Sequence, residues 1–211
     1  MNIRGIIFDL DGVICHTDKY HYQAWKKIAD EEKIEFNEVI NERLRGVSRA
    51  ESLEIILEKA SKEYSQEEKQ HLMDKKNNIY RSLLKGMSPS DVSTEIRVTL
   101  NKLKEKGYKL AIGSSSKNTM LILSQLGLKD FFDGIADGTK ITNSKPDPEV
   151  FLKAAELIKE NPDNCMVVED ANAGIDAASA GGFHNIGIGP ARYYSKAEYK
   201  VKSFGQILDL I

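Results

Sequence analysis

The 211-residue chain carries 30 basic and 32 acidic residues, a near balance that leaves no broad positive field for nucleic acid and no polybasic stretch for a membrane surface. A chain of this length is one large domain or a core with a modest insertion, and it buries roughly 70% of its unfolded surface, so neither disulfides nor metals are needed for folding. Small-molecule chemistry is the expectation that remains.

The opening M-N-I-R-G-I-I-F-D-L-D is broken by carboxylates far too early for a signal-peptide core or a membrane span, so a cytoplasmic protein is expected. Residues 3–8 form a short apolar run ending at Asp9, as in a buried strand whose carboxyl end delivers a carboxylate to the place where α/β sheets bind ligands. From about 19 to 85 the pattern is helical. Ala24, Trp25 and Ile28 make one stripe, Leu53, Ile56, Leu57 and Ala60 a second, and Leu72, Met73, Tyr80 and Leu83 a third. This predicts a small helical domain at 16–87 inserted into a core made of 1–15 and 88–211. Beyond Gly86 and Pro89 a helix with Ile96, Leu100 and Leu103 stops at Gly107, and 108–113 reads as a strand. A helix at 117–126, a short strand at 134–137, a helix near 150–158, a strand at 165–168, a helix at 174–180 and a strand at 185–188 continue the alternation. Such repeats predict an α/β fold with a parallel, doubly wound, Rossmann-like sheet. Cys15 and Cys165 stand in no metal-ligand spacing and read as buried thiols.

Four loops then fall at the carboxyl ends of predicted strands. In F-D-L-D-G-V, residues 8–13, period-two alternation turns Asp9 and Asp11 to one side, where they repel each other unless a hard cation such as magnesium intervenes. The Asp9 carboxylate is placed to attack phosphorus and form an acyl phosphate. A calcium loop would want ligands where Val13 and Cys15 stand, and a plain polar turn is the other reading. The run Ser114, Ser115, Ser116, Lys117, Asn118 offers hydroxyls and amides at a helix start, either as a phosphate cradle or as ordinary caps. Lys145, in S-K-P-D-P, is a candidate to neutralise Asp9 and a transferring phosphoryl group, or else a solvated lysine. Glu169 and Asp170 follow an apolar run and would complete a magnesium site with Asp9 and Asp11, unless they are helix caps.

This ordered set resembles the haloacid dehalogenase superfamily of phosphotransferases over essentially the whole chain. The resemblance implies Asp9 as nucleophile, Asp11 as general acid/base and, through its backbone carbonyl, a metal ligand, Ser114 and Lys145 as phosphate binders, and Glu169 and Asp170 as magnesium-associated carboxylates. The helical insertion is similar to the superfamily's small mobile cap. Within it, H-x-x-x-W as His21 and Trp25, R-G-V-S-R as Arg45, Gly46, Val47, Ser48 and Arg49, then Ser52, and K-N as Lys76 and Asn77, resemble the β-phosphoglucomutase family. That likeness implies that Thr17, His21, Arg49 and Lys76 line the sugar site or help the cap close, with Ser116, Lys117 and Asn118 near a second phosphate. It implies interconversion of β-D-glucose 1-phosphate and glucose 6-phosphate through glucose 1,6-bisphosphate. Cys15-His16 and Gly113-Ser114-Ser115 depart from the family's usual residues without touching a catalytic atom. A phosphatase of small sugar phosphates shares every core residue, and a phosphate-binding regulatory module phosphorylated on Asp9 is a further alternative. A monomer acting on small sugar phosphates, without nucleic acid or membrane partners, is the expectation.

Overall fold

The computed structural model describes residues 2–44 and 47–211. Its strands are β1 Gly5–Phe8, β2 Lys109–Gly113, β3 Gly134–Ala136, β4 Cys165–Glu169, β5 His184–Gly187 and β6 Tyr199–Lys200. The helices are α1 Asp18–Glu31, α2 Glu38–Glu42, α3 Arg49–Leu57, α4 Gln66–Leu84, α5 Thr94–Glu105, α6 Thr119–Gln125, α7 Glu149–Ile158 and α8 Asn172–Ala180. At α3, α4 and α5 the helix start follows from short polar side chains that satisfy otherwise unbonded amides. Ser48 with Glu51, and Ser65 with Glu68, form reciprocal capping boxes at α3 and α4, while Ser93 caps α5.

The chain divides into two compact units, one of Met1–His16 with Met87–Ile211 and one of Thr17–Gly86. In the first, all strand pairs are parallel and the order is β3-β2-β1-β4-β5-β6. Winding proceeds outward from β1 through β2 to β3, and from β4 through β5 to β6, so the topological switch lies between β1 and β4. Both faces of the sheet are covered, which is why its strands read as continuous apolar runs. Ile7 packs with Val150, Phe151, Ala154 and Val167 under α7 and α8, and on the other face Phe8 lies between the rings of Phe132 and Phe204.

The second unit is helical, with a core of Trp25, Ile28, Leu53, Ile56 and Leu72. The third stripe buries Leu84 where Leu83 had been expected, and α3 ends at Leu57, so Ala60 packs from beyond the helix. The short α2 and the whole segment after 188, including β6, have no counterpart among the sequence-predicted elements. Neither contains an apolar run long enough to show a period. No helix among the described residues is long and apolar enough to cross a membrane.

Candidate active site

Asp9 leaves the sheet immediately after β1. Its N–H donates to the Val168 carbonyl at 2.9 Å, so its backbone is still held as a strand. The register pairs Phe8 with Ile112 on one side and Val168 on the other. Asp9 and Glu169 therefore stand level on adjacent strands roughly 5 Å apart. Lys145 joins them, its Nζ donating to Asp9 Oδ1 at 2.5 Å and Glu169 Oε2 at 2.8 Å. The same ammonium lies 4.5 Å from the centre of the Phe151 ring. Asp9, Glu169 and Asp170 each offer an oxygen within 4.8 Å of the others. Space for these carboxylates comes from two glycines. A Cβ on Gly12 would collide with the Asp170 carboxylate, and one on Gly174 with that of Glu169. Gly12 is also at φ +90°, where other residues are strained.

Strand geometry ends sooner than the alternation argument assumed. β1 stops at Phe8, and the Leu10 carbonyl accepts the N–H groups of Ile14 and Cys15 at 3.0 and 3.1 Å, so the chain is already turning at Asp11. The side-chain partner that the sheet supplies to Asp9 is Glu169, and the Asp11 side chain is outside the group of three carboxylates. Its charge still acts on Asp170.

Three acids face one ammonium here, and the imbalance disfavours ionisation of two of them. Burial raises the Glu169 carboxyl to about 7 although Lys145 pulls it down, with Asp9 adding to the rise. Burial, followed by the charges of Glu169, Asp9 and Asp11, raises Asp170 to about 8. Burial alone would lower Lys145; Asp9 and Glu169 reverse the sign and hold it charged.

Residues 114–118 leave β2 at the same end of the sheet. The Ser114 hydroxyl accepts the Ser116 N–H at 3.2 Å, the Ser116 hydroxyl accepts the Asn118 N–H at 3.2 Å, and Thr119 Oγ1 donates to the Ser116 carbonyl at 2.9 Å. These bonds shape the loop itself. The residue before α6 is Asn118, whose side chain makes no cap bond. Ser115 Oγ is buried without a hydrogen-bond partner, and Lys117 is exposed. Ala171 likewise stands at the start of α8, so Glu169 and Asp170 are not its caps.

Within Thr17–Gly86 a separate polar cluster forms. His21 and Trp25 are four residues apart on α1, and Lys76 and Tyr80 four apart on α4, so each pair shares a helix face. Lys76 Nζ donates to His21 Nδ1 at 2.8 Å and lies 5.0 and 4.7 Å from the ring centres of Trp25 and Tyr80. The Tyr80 hydroxyl donates to Thr17 Oγ1 at 2.9 Å. Burial, then the charges of Lys76 and Arg49, push His21 well below its ordinary range. It is therefore neutral at pH 7, with Nδ1 accepting and the proton on Nε2. Arg49 Nη2 donates to Asn77 Oδ1 at 2.9 Å, which fixes the guanidinium. Ser48 serves as the cap of α3, Ser52 is buried and Val47 is exposed. Arg45 and Gly46 lie outside the described residues.

Residues 3–182 match the model of the haloacid dehalogenase-like hydrolase family. The chain belongs to that family. It is 41% identical over 202 residues to a beta-phosphoglucomutase of Bacillus subtilis, covering 95% of this chain and 89% of that protein. A phosphorylated carbohydrates phosphatase of Thermotoga maritima is 29% identical, over 87% of this chain and 84% of its own length. The crystal structure of a beta-phosphoglucomutase from Clostridium difficile superposes with a TM-score of 0.88 at 42% identity, covering 97% of this chain and 93% of that one.

The donor set of this haloacid dehalogenase-like core fits magnesium. Its ligand atoms are hard carboxylate oxygens, and two of the three acids resist ionising together until a cation compensates them. Three supporting residues carried no signal of their own in the sequence. Tyr80 looked like one more member of a helical stripe, although its place four residues after Lys76 marks it as a neighbour. Phe151, beneath Lys145, and Glu149, at the start of α7, have no motif around them that singles them out.

Proposed function

We propose that this protein interconverts β-D-glucose 1-phosphate and D-glucose 6-phosphate through a phosphorylated Asp9 and a glucose 1,6-bisphosphate intermediate. The observation that carries the reading is Lys145 spanning Asp9 and Glu169, which places a fixed positive charge against a buried carboxylate nucleophile. In the attack, Asp9 forms the new O–P bond while the sugar oxygen departs in line. Lys145 offsets negative charge on Asp9 and on the phosphoryl oxygens. Asp9, Glu169, Asp170 and the Asp11 carbonyl would hold magnesium, which supplies further charge neutralisation at the phosphoryl group. Asp11 donates the proton that the sugar oxygen needs as it leaves, and takes one back when a sugar hydroxyl attacks the phosphorylated Asp9.

Mutase and phosphatase share those steps and differ in which hydroxyl discharges the aspartyl phosphate. The likeness to beta-phosphoglucomutases, stronger in identity and coverage than that to the carbohydrate phosphatase, supports the mutase. In this reading Arg49, braced by Asn77, binds the phosphate that is not transferred, and His21, Lys76 and Thr17 address the sugar. Phosphorus NMR of β-glucose 1-phosphate with enzyme, magnesium and a trace of bisphosphate is the test. Glucose 6-phosphate should accumulate without inorganic phosphate, and hydrolysis alone would replace the mutase with a phosphatase. Arg49→Ala should slow this isomerisation while sparing the loading of Asp9 from acetyl phosphate, which has no second phosphate.

A further inference from the structure

We infer that Glu149 is a positioning residue for Lys145, acting through the backbone of the loop that carries it. The inference rests on the role given above to Lys145. Glu149 opens α7, four residues after the lysine, and its side chain turns back along the chain. Its Oε2 accepts the N–H groups of Thr142 at 2.9 Å and Asn143 at 2.8 Å, and its Oε1 accepts that of Thr142 at 3.1 Å. The rest of the segment closes in the same way. The Asp147 N–H donates to the Ser144 carbonyl at 3.1 Å, and Asp147 Oδ1 accepts the Glu149 N–H at 2.9 Å. Lys145 is thus enclosed in a ring of hydrogen bonds whose two ends are both tied to the first turn of α7.

The surroundings show why such a tie is needed. Thr142, Asn143 and Ser144 are exposed and belong to no helix or strand, so little packing holds them. On the other side, Val150 and Phe151 are wholly buried in the sheet-facing core, which makes the start of α7 a rigid anchor. Glu149 transmits that rigidity to a loop that otherwise has little of its own. Its carboxyl is held below the usual range, chiefly by the bond from the Asn143 amide, with the Thr142 amide and Lys153 contributing, so the acceptor remains charged at neutral pH. Lys145 must reach two carboxylates at once, and a displacement of about 1 Å at such a group costs up to about 100-fold in rate.

The test is a double-mutant cycle on the loading of Asp9 by acetyl phosphate with saturating magnesium, followed by intact mass. Glu149→Ala should slow loading about 10- to 100-fold. In a Lys145→Ala background the same change should cost less than about 3-fold, because the group it positions is gone. Glu149→Gln, which keeps an acceptor oxygen of the same reach, should recover most of the rate and guards against a misfolded alanine variant. Equal losses in both backgrounds, or no loss in the first, overturn the positioning role. A Lys145→Ala variant that loads at the wild-type rate overturns the role of Lys145 itself, and the inference with it.

Discussion

Two lysines in this protein are taken out of solvent in opposite ways. Lys145 is clasped by Asp9 and Glu169, and their charges raise its pKa above the range that burial alone would allow. Lys76, 3% exposed, sits against a neutral imidazole and the faces of two aromatic rings. The first arrangement saturates a cation with anions inside a site that has acid to spare. The second sets a cation against an imidazole nitrogen and two aromatic faces, each face stabilising it by about 1–2 kcal/mol without cancelling its charge. In the proposed function, charge in the sheet unit serves the making and breaking of bonds to phosphorus, and charge in Thr17–Gly86 serves recognition.

The strongest way to break that division is at the nucleophile. Asp9→Asn should eliminate the phosphoryl adduct altogether, since an amide does not attack phosphorus at a useful rate. Intact mass after incubation with bisphosphate should show the added phosphoryl group on the wild type alone. An equal adduct on the variant would move the chemistry elsewhere.

Next in size is Asp11→Asn. Loss of a general acid should cost about 10²- to 10⁴-fold in sugar phosphate turnover, while loading from acetyl phosphate, whose leaving group needs no proton, should fall far less. If both rates collapse together, Asp11 organises the site and does not transfer protons.

A smaller effect concerns pH and magnesium. Glu169 and Asp170 are raised to about 7 and about 8, so from the ordinary carboxyl range up to those values the folded protein holds more protons than the unfolded chain. Raising pH through that window therefore removes stability. The Tm of the metal-free protein should drop by several degrees between pH 6 and pH 9, on the order of a few kcal/mol, and magnesium should abolish the drop. A Tm that is flat without metal would contradict the crowding of acids described here.

The smallest effect tests the second lysine. Lys76→Met removes one of the charges that depress His21, so the imidazole pKa should rise, yet burial, the larger cause, should keep it below 6.5. An NMR titration of the ring reads this directly, and a value at or above 6.5 would make charge the dominant influence.

The reach of sequence reasoning follows the same contrast. The strand ends that carry Asp9, Ser114 and Glu169 were legible because buried parallel strands are uninterrupted apolar runs, and a carboxylate or hydroxyl at their ends stands out. Asp11 was misjudged in geometry because alternation says nothing about where a strand stops, and here a turn starting at Leu10 takes over. The 142–149 ring was invisible for another reason. It is made of side-chain bonds to backbone amides, which any Glu or Asp near a helix start can form or not form. Tyr80 hid within its hydrophobic stripe, since nothing in a helical period separates a packed ring from one that also donates to Thr17.

Both thiols are free and buried. Cys15 donates weakly to the Leu10 carbonyl at 3.7 Å, and burial, with the charges of Asp11 and Asp9, holds it far above its ordinary range. Cys165, also buried, is pushed up to about 12. A thiolate is the reactive form, so alkylating reagents at neutral pH have almost nothing to attack. The two native thiols should therefore react little with maleimide dyes at neutral pH. One cysteine introduced at exposed Lys129 and another at exposed Glu67 would label cleanly without removing either native thiol, placing a fluorescent pair on the two compact units of the working enzyme.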